Sequence, residues 1–157
     1  MDDAQTLIAT LQSATRIIIG LIREVPPHNL KRRPTPNKWS AHEHACHLST
    51  GDAAFLSRLE LMLSDTAPYI RAMLPSPEEE DGALLDVDLD EALDRYVRER
   101  ARLVERLKEL SEGDWQRTAK HEEYSHYSVF IMFRSLLLHE MLHAYRIEEL
   151  MLKKDWE

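Results

Sequence analysis

In four separate stretches of this chain, apolar residues return every three to four positions for about twenty residues at a time. No run alternates apolar with polar for the length of a strand. This pattern predicts four amphipathic helices. Such helices bury their apolar stripes most simply against one another, as an all-α four-helix bundle. Glycine is too scarce, at 4 residues in 157, for a loop-rich or all-β fold. The length suits one domain, residues 1–157, with a sizeable core.

The first helix is expected from about Asp2 to Glu24, with Asp2 as cap and Gln5 three residues on. Leu7, Leu11, Ala14, Ile18, Leu21 and Ile22 form its stripe, and Pro26-Pro27 stop it. The second runs from about Ala41 to Ser64. Ser40 and Glu43 make a capping box, and Trp39, just before the cap, is placed to staple onto His44. Ala54, Phe55, Leu59 and Met62 continue its apolar face. Residues 66–88 hold Pro68, Pro75, Pro77 and the acidic "PEEEDG". They read as a long crossover or a lid over a site, with one short helical turn near Tyr69 to Met73. The third helix is expected from Leu89 to Leu110, capped by Asp88 with Glu91, with Leu93, Tyr96, Val97, Leu103, Val104, Leu107 and Leu110 inward. "SEGDW" ends it, with a short turn at Trp115. The fourth runs from Val129 to Lys153, with Ser128 as cap.

The formal net charge of -8, with no basic stripe, argues against a nucleic-acid partner, because phosphate binding needs clustered Lys and Arg. "LKRRP" at Leu30 to Pro34 is too short to change that. The single cysteine, Cys46, excludes an internal disulfide framework and a cysteine-based zinc finger, and reads as a small core residue. "MDDAQTL" opens acidic, unlike a signal peptide, and "RIIIGLI" falls far short of the ~20 residues a membrane span needs. The expected setting is cytoplasmic, with no membrane partner.

Three of the 8 histidines fall within "HEHACH", residues 42–47. On the last helix "HEMLH" places His139 and His143 four apart. At about 100° per residue that puts both imidazoles on one face, one turn apart. They are in phase with Leu136 and Leu150, which should face the core. On the second helix His47 shares an inner stripe with Gly51 and Ala54, small residues that leave room for an imidazole and an ion. His44 lies about 60° from His47 on the same side, and His42, about 140° away, is expected to face solvent. His47, His139 and His143 are therefore the candidate metal ligands. His121, His126 and His28 read as loop residues, although His121 is placed where it could line a site mouth.

Two motifs compete for the same residues. "HEMLH" fits H-E-x-x-H, in which Glu140 would be the general base of a zinc hydrolase. Such enzymes take a third ligand downstream, and here only 14 residues follow the motif. Glu140-His143 and Glu123-His126 fit the E-x-x-H element of dinuclear carboxylate bundles, but the matching glutamates on two other helices are not evident.

"RPTPNKWSAHEHACHLSTGDAAFLSRL" and "HEEYSHYS" leading into "LLLHEMLHAYRIEEL" resemble the DinB-like family, the helical-bundle superfamily that also includes bacterial thiol transferases. The first segment looks like the family's R-P-x-x-x-x-W-S…E…H-L pattern, the last like its H-x-x-x-H. The resemblance spans nearly the whole chain. It implies an up-down-down-up bundle with one divalent ion held by His47, His139 and His143, the set that helical phase had already singled out. Arg146 stands where the family often has Gln, and Ser125 where Gly is common. A cation at Arg146 would favour an anionic substrate or pair with Glu149.

Three imidazoles leave positions open, and a divalent ion held this way brings the pKa of a water or thiol toward neutrality. The resemblance implies metal-dependent transfer of a low-molecular-weight thiol to a small electrophilic substrate, with Zn or Ni first among ions and Fe, Mn or Cu behind them. Glu140 and Arg146 are the catalytic candidates, and Glu43 or Glu140 would orient ligands. The alternative is a non-catalytic metal-binding or stress-related module. A second copy of the chain is the expected macromolecular partner.

Overall fold

The computed structural model describes residues 2–154. Four long helices carry it: α1 (Asp2–Glu24), α3 (Ala41–Ser64), α5 (Leu89–Lys108) and α7 (Val129–Leu152). Three short ones fill the connections: α2 (Pro27–Leu30), α4 (Pro77–Glu80) and α6 (Glu112–Gln116). The long elements fall where periodicity puts them, with α5 ending two residues short of the expected Leu110. The caps explain the boundaries. The Ser40 hydroxyl accepts from the Glu43 amide and the Glu43 carboxylate accepts from the Ser40 amide at 2.9 Å, which closes the capping box of α3. Asp88 caps α5 through the Glu91 amide at 2.9 Å, and Ser128 caps α7 through the Ile131 amide at 3.2 Å. Helix α1 begins at Asp2; the expected cap at that side chain lies outside the described residues.

Residue pairings fix the directions. Asp52 and Glu60 of α3 meet Arg100 and Arg106 of α5 in the same order, so these helices run parallel. His44 meets His143, and Gly51 approaches Leu136, so α3 and α7 are antiparallel. Arg23 near the end of α1 pairs with Asp90 at the start of α5, which makes those two antiparallel. The bundle is therefore up-down-down-up, and the parallel pair α3 and α5 needs the long crossover of residues 65–88. The core is built from Leu11, Ile18, Leu59, Met62, Tyr96, Leu103, Leu107, Phe133, Leu136 and Ile147, all within 2% of full burial. Helix α1, over Asp3–Glu24, is long and apolar enough to cross a membrane by length and composition alone. Its Leu7, Leu11, Ile18 and Ile22 instead pack into this core.

The crossover departs from expectation. Tyr69 to Met73 forms no helical turn. Instead β1 (Tyr69–Ile70) pairs in parallel with β2 (Lys120–His121). The Lys120 amide donates to the Pro68 carbonyl at 2.9 Å and the Glu122 amide to the Ile70 carbonyl at 3.0 Å, so two loops satisfy each other's backbone where Ile70 is buried. After β1 the chain forms α4, turns at Gly82 with φ 104, and makes a 3-10 turn over Ala83–Asp86. A side chain at Gly82 would need that disfavoured φ and would crowd the Arg33 guanidinium at 3.3 Å. Val97, expected inward, is exposed on α5.

One polar group sits at the centre of the bundle. The Arg100 guanidinium donates to both Asp52 carboxylate oxygens, at 2.7 and 2.8 Å, to the Leu11 carbonyl at 2.6 Å, and to Glu140. All three charged side chains are buried. Arg100 thus ties the four long helices together: α5 through its own backbone, α1 through Leu11, α3 through Asp52 and α7 through Glu140. Burial pushes the Glu140 carboxyl up to about 7, partly offset by Arg100.

Candidate metal centre

The site forms at the start of α3. Arg33 donates through Nε to both Glu43 carboxylate oxygens, at 3.1 and 3.0 Å, and through Nη2 to the Glu80 carbonyl at 3.1 Å. Since Glu43 also closes the helix cap, one ion pair fixes the first turn of α3 and the crossover above it. Glu43 is fully committed to this work and reaches no imidazole. Burial raises its carboxyl, but hydrogen bonds from Arg33 and Ser40 outweigh that and hold it below its ordinary value. A carboxylate with a depressed folded pKa adds stability above its unfolded pKa, and that stability is lost as pH falls through the folded value. Glu43→Gln is therefore expected to cost about 1.5–3 kcal/mol at pH 7, with the deficit shrinking below the ordinary carboxylate range. Urea unfolding of both proteins at neutral and acid pH checks this; an equal deficit at both would remove the ion pair as its cause.

From that anchored turn α3 presents His44 and His47, and α7 presents His139 and His143 one turn apart. One ring nitrogen each from His47, His139 and His143 lies within 4.8 Å of the others. His143 Nε2 and His139 Nε2 are 2.9 Å apart. His143 is buried, His47 half-buried and His139 exposed at the rim, less sheltered than its phase suggested. The Trp39 ring roofs the group, with centroids 4.9 Å from His47, 5.5 Å from His44 and 6.0 Å from His143. The expected Trp39–His44 packing is there.

His44 does more than pack. Its Nδ1 lies 2.7 Å from His143 Nδ1, so one of the two carries the shared proton. With that proton on His143, its Nε2 offers a lone pair toward His139 and His47. Glu79, on α4, places a carboxylate oxygen 3.4 Å from His47 Nδ1, which leaves Nε2 of that ring for the cluster. The same carboxylate accepts from the Ser76 amide at 3.0 Å, capping α4. The crossover thus lies over the site as a lid would.

The donor set fits a divalent ion of borderline softness. Burial, then the neighbouring His139, His44 and His47, pull the His143 pKa down to about 2. Burial and His47 pull His44 down to about 4 and lower His139. His143, His44 and His139 are thus held toward the neutral form that metal ligation requires. Two neutral imidazole nitrogens 2.9 Å apart present lone pairs to each other unless a proton or cation lies between them. Two nitrogens bound at about 2.0–2.1 Å to one ion sit about 3 Å apart. Among the described residues, the carboxylate in contact with the three rings is that of Glu79, on the Nδ1 side of His47. Glu140, the base of the H-E-x-x-H reading, is held by Arg100 in the bundle centre, and that reading is not built here.

Beyond Trp39 and His44 opens a cleft of about 1180 Å³, lined also by Pro75, Tyr145, Arg146 and Glu149; His47, His139 and His143 do not line it. Arg146 lies on this wall and pairs with Glu149 at 2.7 Å, the ion pair expected of it. His42 corrects the expectation of a solvent-facing ring. It is buried, with Nε2 3.1 Å from the Leu84 carbonyl, because the 3-10 turn of the crossover covers that face of α3. Cys46 packs under the same cover with Leu84 and Ala92, and burial raises its thiol to about 11, which makes it neither nucleophile nor ligand. His121 stacks on Tyr124 and Tyr127 at 4.5 Å and does not line the cleft. His126 and His28 are exposed.

The comparisons with known proteins agree with this fold. The family model of the DinB superfamily matches residues 10–147, and the chain belongs to that superfamily. Among curated proteins none matches. A solved structure with a similar fold is YfiT from Bacillus subtilis, described as a probable metal-dependent hydrolase with an unusual four-helix bundle topology. It is 16% identical, with TM-score 0.78 over 94% of this chain and 85% of that one. At that identity the likeness shows the fold alone.

Proposed function

We propose that this protein is a metal-dependent enzyme acting on a small electrophile, with one divalent ion held by His47, His139 and His143. The observation that carries the reading is the convergence of three imidazoles from two helices, with a cleft large enough for a small molecule on the far side of Trp39 and His44. When bound, the ion would supply Lewis acidity and draw the pKa of a water or thiol toward neutrality. The chain's own residues do the rest. His44 and Glu79 hold the rings of His143 and His47 in register, Trp39 shields them from water, and Arg33 clamps the crossover over them. Arg146 and Tyr145 line the wall where a substrate would lie. None of these is a free nucleophile, and Cys46 is sealed away. The attacking group therefore comes from solution, and a low-molecular-weight thiol is the first choice. Cytoplasmic placement, where such thiols are reduced, goes with this choice. Hydrolysis by water is the second reading, favoured by the description of YfiT.

Elemental analysis of untagged protein is expected to give near-stoichiometric Zn or Ni for wild type and none for His47→Ala. Metal-loaded wild type should then turn over a thiol with an electrophile, and His139→Ala should not. Metal binding without turnover of either thiol or water substrates would favour the non-catalytic module. No metal after reconstitution would end both readings.

A further inference from the structure

The outward face of α7 carries a second pattern that the bundle does not use. Leu138, Leu142, Tyr145 and Leu152 are exposed at 62%, 53%, 62% and 65%. With Ser135 and Glu149 they follow the alternating three- and four-residue spacing of a coiled-coil seam. The buried stripe of the same helix, through Leu136, Glu140, His143 and Ile147, points the other way. Single exposed leucines need no explanation, but four large apolar groups aligned on one helix face do.

We propose that this face pairs with the same face of a second copy, antiparallel, about a two-fold axis between Leu138 and Leu142. In that register Leu138 of one copy meets Leu142 of the other, twice. Ser135 lies opposite Tyr145, a small residue against a large one. Arg134 comes alongside Glu148 of the other copy, again twice by symmetry. Both flank the seam, Arg134 exposed and Glu148 half-buried. Parallel pairing would set Arg134 against Arg134 and Glu148 against Glu148, so charge selects the antiparallel arrangement. A membrane surface is a poorer match, since Glu148 and Glu149 border the patch and the chain's net charge is -8. Tyr145 and Leu152 also line the cleft, so the second copy runs along one wall of it. This inference stands independently of the proposed chemistry.

Sedimentation or light scattering on the full chain tests it. Wild type is expected at twice the mass of one chain, and Leu142→Glu at the mass of one, with unchanged helical circular dichroism. Arg134→Glu is expected to weaken the dimer by about tenfold, and Arg134→Glu with Glu148→Arg to restore it. Restoration is the arm that a merely misfolded variant cannot mimic. A wild type that stays monomeric at high concentration overturns the proposal, as does a Leu142→Glu protein that remains dimeric. Binding of monomeric wild type to phosphatidylserine vesicles would instead assign the face to lipid.

Discussion

Arg100→Met is expected to destabilise the bundle by about 3–5 kcal/mol, the largest loss from any single polar substitution here. Among the described residues Arg100 is the cation bonded to Asp52 and Glu140 in the bundle centre, and its other hydrogen bond satisfies the Leu11 carbonyl on α1. Methionine matches its length and apolar stem but leaves two carboxylates buried together without a counter-charge. Burial already raises the pKa of both, and without Arg100 nothing opposes it. The loss should come from stranded charge rather than lost packing. Adding Asp52→Asn and Glu140→Gln to Arg100→Met removes the stranded charge and is expected to recover most of the stability. Urea unfolding of the single and triple variants decides the matter. A single variant within about 1 kcal/mol of wild type would mean water reaches this centre and the charges are not held in a dry interior.

This network was open to the sequence in a form that periodicity alone passes over. Tyr96, Arg100, Leu103 and Leu107 keep one phase on α5, Leu48, Asp52, Phe55 and Leu59 another on α3, and Leu136, Glu140, His143 and Ile147 a third on α7. One cation and two anions on three apolar stripes balance to a buried cluster, since lone charges there would be too costly. The long helices were legible because caps such as Ser40 with Glu43 and Ser128 act locally, and because twenty-odd residues of period 3.6 leave little alternative. His139 and His143 were legible for the same local reason. What was not legible depends on where distant segments come to rest. His42 is buried only because residues 83–86 lie over α3. His44 meets His143 only because α3 and α7 close to ring-contact distance. The two-residue ribbon of Tyr69–Ile70 with Lys120–His121 follows from two loops meeting, which no local pattern encodes. Gly51 and Ala54, read as the inner stripe, flank the true core line through Leu48, Asp52 and Phe55, so the histidine cluster opens at the seam between α3 and α7 rather than inside the bundle.

The second large effect is on metal affinity, and it should be graded by position. His143→Ala removes the ring that is flanked by His139 on one side and His44 on the other. It is expected to weaken metal binding by well over 100-fold, beyond the 10–100-fold that loss of a ligand's hydrogen-bond partner costs. His44→Phe tests that smaller class. Phenylalanine keeps an aromatic ring under Trp39 but cannot accept a proton from His143 Nδ1, so the His143 tautomer and ring angle are no longer fixed. A loss of about 10–100-fold is expected there, and Glu79→Gln should give a similar or smaller loss through His47. Competition against a chelator of known affinity measures all four proteins on one scale, with circular dichroism to show that the helices persist. The order carries the inference. A His44 variant as damaging as the His143 variant would move His44 into the ligand set in place of one of the three. A His143 variant that binds like wild type would remove His143 from the ligand set and with it the three-histidine centre.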